Sequence, residues 1–306
     1  MQLKSLKPSH WKKGFWNRVI RYSSPFLSDE SFLKLKFKHS VGYTLNLDNP
    51  QTFNEKLNWL KLNYRKPEFS LMADKYEVKD LVVQRIGKEY VVPCLGVWNS
   101  PDDIDFDALT YPCVLKATND SSGAIICRSR SEINPDKIRR KLAVSIKRNW
   151  YSASREYSYK NIKPRIIADK YLDDGTGHEL TDYKFWCFNG EPRIMYCTNK
   201  GKNIYENFYD MDFHPLFISH GFPRLKPEFE RPYAFGEMKQ LCKMLCTGGA
   251  FLPFVRIDFF YVGGRVYFGE YTFYDWGGMA PIKPVEWDYK LGEMIILPET
   301  HDEHCI

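Results

Sequence analysis

The chain has 306 residues, of which 43% are hydrophobic and 27% charged, and a formal net charge of +6. A chain of this size and composition buries a core of one or two domains, which excludes a peptide hormone and a disordered tail. No apolar run reaches the roughly 18 residues of a membrane span, and lysine-rich polar sequence follows Met1, so we expect a cytoplasmic protein without a signal peptide.

The positive charge is concentrated in a basic N-terminal arm, residues 1–50. Residues 1–40 hold nine lysines and arginines against two carboxylates, so the rest of the chain is close to neutral. Apolar residues recur in this arm at near-helical spacing: Trp11, Phe15, Trp16, Val19 and Ile20. Two interpretations stay open, peripheral contact of residues 1–40 with an anionic membrane surface and a helix that packs its apolar stripe on the body. We expect no nucleic-acid partner, because the body has no basic surplus and no nucleic-acid motif.

The next segment, residues 53–86, predicts two or three helices, with Thr52 as N-cap and Glu55 as its capping-box partner. Later helices are predicted near Asp103, at 135–150 and at 233–246. Strands are predicted at 90–95, 111–116, 124–127, 165–171, 183–188, 193–198, 208–209, 254–261 and 266–272. Helices and mostly antiparallel strands in this order indicate an α+β protein with two lobes.

The last two predicted strands place charged residues where charge is costly without a partner or a ligand. A period of two puts Arg256 and Asp258 on one face of the first strand, and Glu270 and Thr272 on one face of the second. Two carboxylates and an arginine that meet on one surface would bind a divalent cation with phosphates. A salt bridge between Arg256 and Glu270 without any metal explains these residues equally well.

Whether the two carboxylates meet depends on the turn between the strands. A two-residue turn at 263–264 pairs Val262 with Arg265 and leaves the carboxylates on opposite faces. A three-residue loop that ends at Gly264 pairs Tyr261 with Arg265 and brings the carboxylates to one face. We predict the three-residue loop.

Three lysines are candidates for phosphate binding, although each taken singly is commonly a surface charge. Lys116 ends a predicted buried strand just before the small polar turn 118–123, whose backbone N–H groups suit a phosphate. Lys75 and Lys184 lie in the segments Met72–Tyr76 and Asp182–Phe188. The P-loop, dinucleotide-binding, nucleophile-elbow and zinc-protease motifs do not occur in the sequence.

In this order the residues resemble the ATP-grasp superfamily, and most closely its polysaccharide-biosynthesis branch, the TupA-like family. The resemblance runs from about Thr52 to Pro298 and rests on these segments: 52–60, 73–76, 91–98, 114–116, 182–190, 254–258 and 267–273. It implies an ATP-grasp fold in which two lobes with antiparallel sheets sandwich ATP, preceded by an N-terminal helical segment. The implied division is the arm 1–50, a small helical part 51–110, a lid subdomain 111–172 and a catalytic subdomain 173–306.

The resemblance also implies a role for particular residues. The ATP phosphates would be bound by Lys75, Lys116 and the loop residues Asn119, Ser121, Ser122 and Gly123. The adenine hinge would be Asp169, Lys170, Tyr171 and Leu172, with Asp173 or Asp174 near the ribose. Lys184 and Arg256 would act in catalysis, and Mg²⁺ would be bound by Asp258, Glu270 and Thr272. Three residues depart from the family pattern: Thr272 replaces an Asn, Asp169 replaces a Glu, and Asp120 stands in the phosphate loop.

The activity implied by the resemblance is carboxylate–amine ligation in surface polysaccharide biosynthesis. ATP would activate a carboxylate, such as a uronic acid on a polysaccharide precursor or a nucleotide- or lipid-linked sugar acid, and an amino acid or amine would then form an amide. The loop 274–278, with Trp276, is the candidate acceptor region. Three alternatives stay open: a glycosyltransferase that uses the triplet Asp210-Met-Asp212, a sugar kinase on the same scaffold, and a non-catalytic binding protein.

Overall fold

The computed structural model describes residue 20 and residues 24–121, 123–177, 179–199 and 203–299. Its α-helices are α1 (Asp29–Ser40), α2 (Phe53–Asn63), α3 (Glu68–Ala73), α4 (Glu77–Ile86), α5 (Pro135–Ile146), α6 (Trp150–Ser154), α7 (Phe235–Leu245) and α8 (Glu286–Met294). Short 3-10 helices occupy Ser24–Phe26, Lys88–Tyr90, Pro101–Asp103, Arg130–Glu132, Tyr157–Tyr159 and Asp275–Gly278. Within the described residues, no helix is both long and apolar enough to cross a membrane.

The strands are β1 (Cys94–Trp98), β2 (Cys113–Ala117), β3 (Ile125–Cys127), β4 (Ile166–Lys170), β5 (Asp182–Phe188), β6 (Glu191–Asn199), β7 (Tyr205–Tyr209), β8 (Pro215–Leu216), β9 (Phe254–Val262) and β10 (Arg265–Thr272). They form a four-stranded sheet in the order β1-β4-β2-β3 and a six-stranded sheet in the order β10-β9-β5-β6-β7-β8. All pairs are antiparallel. The expected α+β class with two antiparallel sheets is therefore confirmed.

The helical segment after residue 52 forms as predicted. Thr52 accepts a hydrogen bond from the Glu55 backbone N–H (3.2 Å), and the Glu55 carboxylate accepts one from the Thr52 N–H (3.1 Å). This reciprocal capping box fixes the start of α2. Three helices, α2 to α4, follow, and their apolar faces join the main core with the large sheet.

Several predicted boundaries are wrong by a few residues. The strand predicted at 90–95 starts only at Cys94, because residues 88–90 form a 3-10 turn. The helix predicted at 135–150 ends at Ile146, because Asn149 caps a second helix through the Ser152 N–H. Helix α1 confirms the N-terminal helical segment that the resemblance implies, whereas α8 was not predicted. The domain boundaries at residues 50, 110 and 172 stay predictions.

Most of the apolar stripe of the arm lies outside the described residues. Its described member, Ile20, is buried in a small cluster with Phe32, Phe37 and Leu45. This cluster joins α1 to the segment that leads into α2.

The β9–β10 hairpin corrects the predicted register. Val262 pairs with Arg265 across a two-residue turn, so the three-residue loop is wrong. Gly263 and Gly264 both have positive φ (58° and 76°), which a tight hairpin turn requires and which needs no third residue. The ladder shifts instead at a bulge between Phe268 and Glu270.

The bulge has the same effect on the carboxylates as the predicted loop. Beyond it Glu270 pairs with Asp258, and Thr272 pairs with Arg256, so both carboxylates face one side. The residue in the bulge is Gly269, where a Cβ would lie 3.0 Å from the Asp258 carbonyl oxygen. Glycine therefore permits the close approach of the two strands.

Candidate active site

A cavity of about 610 Å³ opens between the two sheets. It is lined from the small sheet and its neighbours by Lys75, Lys79, Val114, Lys116, Ser121, Gly123, Asp169, Lys170, Tyr171 and Leu172, and from the large sheet by Asp182, Lys184, Asp258 and Glu270. Most of the sequence-predicted site residues thus converge on one cavity. Ser122 lies outside the described residues.

Two lysines meet one buried aspartate at the small-sheet wall of the cavity. Asp169 on β4 receives Lys116 at 2.9 Å and Lys79 at 3.0 Å, one on each carboxylate oxygen. Lys79, on α4, also donates to the Val92 carbonyl (2.8 Å). Lys79 was not among the predicted site residues, because a single lysine in an amphipathic helix is usually a surface charge.

Two backbone N–H groups of the expected adenine hinge already donate to carbonyls of the protein. The Lys170 N–H donates to the Pro93 carbonyl (2.9 Å), and the Tyr171 N–H donates to the Pro112 carbonyl (3.2 Å). The Asp169 backbone lies within the ladder, opposite Cys94 and Val114. A contact between this stretch and a base would therefore fall at Leu172.

The loop that follows β2 is anchored on its far side. The Asn119 amide donates to the carbonyls of Ile146 and Arg148, both at 3.1 Å, so Asn119 holds the loop in place and does not line the cavity. Asp120 is buried, and its carboxylate accepts from Trp150 Nε1 (2.9 Å) and pairs with Arg148 (3.2 Å). The charge that would repel a phosphate in this loop is thus neutralised.

Lys75 lies beneath the same loop. Its ammonium group donates to the backbone carbonyl of Asp120. Burial lowers the pKa of Lys75, while the carboxylate of Glu270 acts against this shift. Lys75 therefore links the phosphate loop to the acidic end of the cavity.

At the large-sheet wall of the cavity, Arg256 pairs with the carboxylates of Asp258 and Glu270, and Lys184 pairs with that of Asp258. Arg256 binds Asp258 through Nε (2.7 Å) and Nη2 (2.8 Å), and Nη2 also lies 2.9 Å from Glu270. Lys184 pairs with Asp258 and lies 3.2 Å from Asp182. Burial alone would lower the pKa of Lys184, but the carboxylates of Asp258, Asp182 and Glu270 together raise it above its ordinary value. Both cations are therefore charged at neutral pH.

The acidic end fits Mg²⁺. Four carboxylates lie close to Lys184 and Arg256 here: those of Asp182, Asp258, Glu270 and Asp275. Thr272 adds a hydroxyl, which donates to Glu270 (3.2 Å). Carboxylate and hydroxyl oxygens are the ligands that Mg²⁺ prefers, so the donor set suits the ion.

The cavity as a whole fits ATP. Its volume lies within the range of about 300–1,000 Å³ typical of small-molecule sites. Lysines line its middle, and apolar side chains such as Val92, Val114 and Leu172 line its walls. A triphosphate would thus lie between the lysines and the acidic end.

The candidate acceptor loop stands beside Arg256. Asp275, which lies in this predicted loop but was given no role of its own, accepts from Arg256 Nη1 at 2.5 Å. The next residue, Trp276, has a positive φ of 48° and is about half exposed. Lys61 and Asn58 on α2 hold the loop by donating to the carbonyls of Gly277 (2.6 Å) and Gly278 (2.8 Å).

The Asp210-Met-Asp212 triplet is remote from these groups. It directly follows β7, as expected for the end of a strand. Its carboxylates and His214 lie within 4.8 Å of one another and are largely exposed. None of the three lines the cavity between the sheets.

Solved structures to which this chain is similar include D-alanine–D-alanine ligase from Helicobacter pylori, with 16% identity over 80% of this chain and 69% of that chain and a TM-score of 0.42. They also include N5-carboxyaminoimidazole synthetase from Staphylococcus aureus, with 14% identity over 66% of this chain and 44% of that chain and a TM-score of 0.40. The ATP-grasp ligase PsnB has 14% identity over 71% of this chain and 58% of its own, with a TM-score of 0.40.

The chain thus spans about half the length of the last two of these proteins. No protein of curated function matches it significantly. The profile of one family, TupA-like ATP-grasp, matches residues 55–296, which is most of the chain. The chain therefore belongs to the TupA-like ATP-grasp family, the family that its sequence resembles.

Proposed function

We propose that the protein is an ATP- and Mg²⁺-dependent carboxylate–amine ligase of surface polysaccharide biosynthesis. The observation that carries this proposal is the convergence of two carboxylates, Asp258 and Glu270, and two cations, Lys184 and Arg256, at one end of a lysine-lined cavity. The site offers charge neutralisation and positioning. These are what phosphoryl transfer to a carboxylate needs, since a carboxylate is already a nucleophile and requires no protein base.

The nucleotide would lie along the cavity with its base at the hinge. Leu172 would meet the base through its backbone, next to Asp169, Lys170 and Tyr171, and Asp173 would lie near the ribose. Lys75 and Lys116 would bind the phosphates, covered by Ser121, Ser122 and Gly123. Asn119 would act indirectly, by holding this loop against α5.

Asp258, Glu270 and Thr272 would hold Mg²⁺, which neutralises the charge on the phosphates when bound. Lys184 and Arg256, which contact these carboxylates in the structure, would stabilise the charge on the transferring phosphoryl group. The substrate carboxylate attacks the γ-phosphorus of ATP, an acylphosphate forms and ADP leaves. An amine then attacks the acyl carbon and expels phosphate, which yields the amide.

The substrate follows from the family and from the acceptor loop. The proposed acceptor is a uronic acid or other sugar acid on a polysaccharide precursor or a nucleotide- or lipid-linked sugar, and the donor is an amino acid or amine. Trp276, half exposed beside Arg256, would pack against the sugar ring. The protein would act in the cytoplasm, with residues 1–40 in contact with the inner face of the membrane.

A phosphate-release screen tests this proposal. The full chain is incubated with ATP, Mg²⁺, a panel of uronic-acid glycans and amino acids, and products are read by mass spectrometry. The proposal predicts phosphate release that requires both a carboxylate and an amine, with the amine added to the glycan. A phosphorylated glycan without amine dependence would identify a kinase, and sugar transfer in a parallel reaction supplied with UDP-sugars would identify a glycosyltransferase; either result would overturn the proposal.

A further inference from the structure

A histidine is buried between two carboxylates behind the candidate active site. His220 Nδ1 lies 2.9 Å from Glu206, and His220 Nε2 lies 3.2 Å from Asp275. The three side chains are 2%, 3% and 1% exposed. The chemistry proposed above does not use His220 or Glu206, so their arrangement needs its own explanation.

The two short contacts fit a charged imidazole better than a neutral one. A neutral histidine carries one N–H and one lone pair, so either tautomer would turn a lone pair toward a buried carboxylate. Only the doubly protonated ring offers an N–H to both sides. The rings of Trp186, Tyr196 and Phe208 enclose it at 5.1–5.7 Å. Burial would lower the pKa of His220, but Asp275 and Glu206 raise it to about 9.

The same aspartate connects His220 to the arginine of the site. Oδ1 of Asp275 accepts from Arg256 Nη1 (2.5 Å) and from the Tyr196 hydroxyl (3.1 Å), while Oδ2 faces the histidine. Charges therefore alternate along a buried row from Glu206 through His220, Asp275 and Arg256 to Asp258. The charge of each side chain in the row is balanced only while the neighbouring side chains keep their own charges.

We propose that His220 is a positioning residue for Arg256: as an imidazolium it fixes the Asp275 carboxylate against the guanidinium and so holds that guanidinium at the phosphoryl-transfer site. The catalytic part of this statement rests on the proposed function, whereas the link from His220 to Arg256 does not. Without the imidazolium, the carboxylates of Glu206 and Asp275 stay buried with no cation between them. Their repulsion, or a proton on Asp275, then weakens the contact between Asp275 and Arg256.

The link can be measured without any substrate. The full chain, which has seven histidines, is labelled with ¹⁵N-histidine and ¹⁵N-arginine, and His220→Gln assigns the histidine signal by its loss. We expect both nitrogens of His220 to be protonated at pH 7.5, and Arg256 Nε–H to exchange slowly with solvent. In His220→Gln that exchange should accelerate at least tenfold. A neutral His220 at pH 7.5, or unchanged exchange in the folded variant, overturns the proposal.

A second substitution separates charge from packing. The double variant Glu206→Gln/His220→Gln removes the Glu206 charge that His220 no longer balances. Asp275 is then balanced by Arg256 alone, so the slow exchange of Arg256 Nε–H should return. A role in packing alone would not be restored by changing Glu206. His214→Gln is the matched control, because His214 is 74% exposed and pairs only with Asp210 in the described contacts. If His220→Gln does not fold, Asp275→Asn cuts the same link and must give the same acceleration.

Kinetics then test the catalytic part. With the carboxylate–amine pair found in the screen, His220→Gln should lower kcat at least tenfold, leave the KM for ATP within twofold and recover in the double variant. An unchanged kcat overturns the positioning role. If no pair supports turnover, the proposed ligase activity fails, and the exchange measurement still decides whether His220 holds Arg256.

Discussion

Glu270 lies opposite Asp258 only because the β9–β10 ladder slips by one residue at Gly269. Upstream of the slip the pairing follows the two-residue turn, which by itself would put the two carboxylates on opposite faces. The acidic end of the cavity, and with it the candidate Mg²⁺ site, therefore depends on a bulge.

A side chain at the bulge should damage the metal site. In Gly269→Ala the new Cβ would lie 3.0 Å from the Asp258 carbonyl oxygen, so the strands must separate at a cost of about 1–3 kcal/mol. We expect the rise in Tm produced by ATP with Mg²⁺ to fall by more than half. Gly236→Ala is the control, because no atom lies within 4 Å of its added Cβ. An unchanged rise in Gly269→Ala would show that the bulge does not position the site.

The pair of lysines on Asp169 should set nucleotide affinity. In Lys79→Met, Lys116 alone must balance the buried carboxylate and is less available to a phosphate. We expect ATP to bind about tenfold more weakly, which is ~1.4 kcal/mol. Isothermal titration with an ATP analogue measures this, and Lys88→Met, at an exposed position, is the control. Equal affinity in Lys79→Met and the parent would remove Lys79 from the site.

His220 should make stability fall at alkaline pH. Its folded pKa of about 9 lies above the ordinary value of 6.5, so its contribution is complete below pH 6.5 and is lost as the pH rises through 9. The shift corresponds to about 3 kcal/mol. Urea unfolding at pH 6 and pH 10 should show the difference between the parent and His220→Gln shrink by that amount. A constant difference would show that folding does not raise the pKa of His220 and would contradict its role as a buried imidazolium.

Lys61 changes the stability of the folded protein with pH in the opposite direction to His220 over part of the range from pH 6 to pH 10. Burial lowers its pKa to about 7, so the folded state binds fewer protons than the unfolded state above pH 7, and stability rises with pH there. This is why His220 must be tested by a difference between two proteins and not by the parent alone.

Lys61 should matter for the acceptor and not for the nucleotide. It donates to the carbonyls of Gly277 (2.6 Å) and Ser154 (3.0 Å), outside the lysine-lined cavity. In Lys61→Met these carbonyls lose their donor and the loop that carries Trp276 shifts. We expect the KM for the carboxylate substrate to rise at least fivefold, while the rise in Tm with ATP and Mg²⁺ stays within 1 °C of the parent. The exposed Lys66→Met is the control, and equal KM values would contradict this role.

The sequence predicted the elements that carry the site better than it predicted their register. Period-two alternation placed Arg256 with Asp258 and Glu270 with Thr272, and both groupings hold across the bulge. The predicted loop and the observed bulge both bring the carboxylates to one face, but in registers two residues apart: the loop would set Arg256 opposite Glu270, whereas the bulge sets it opposite Thr272. The alternation therefore predicted that the carboxylates meet, but assigned the slip to the wrong place.

The buried row of charged side chains behind Arg256 could not be predicted from the sequence, for a different reason. Glu206, His220 and Asp275 lie in separate segments, and His220 stands in irregular chain with no periodicity to mark its burial. The partners of Lys79 and Lys61 are likewise set by packing between distant segments. Local patterns report which face of an element is buried, whereas these contacts depend on how the elements meet.

The central claim is that the site forms an acylphosphate, and isotope transfer tests it most directly. The carboxylate substrate identified in the screen is labelled with ¹⁸O in its carboxyl group and incubated with ATP, Mg²⁺ and the amine. Because the amine expels a phosphate that keeps one oxygen of the substrate, the account predicts one ¹⁸O in each released phosphate. Released phosphate without ¹⁸O, while amide forms, would contradict it.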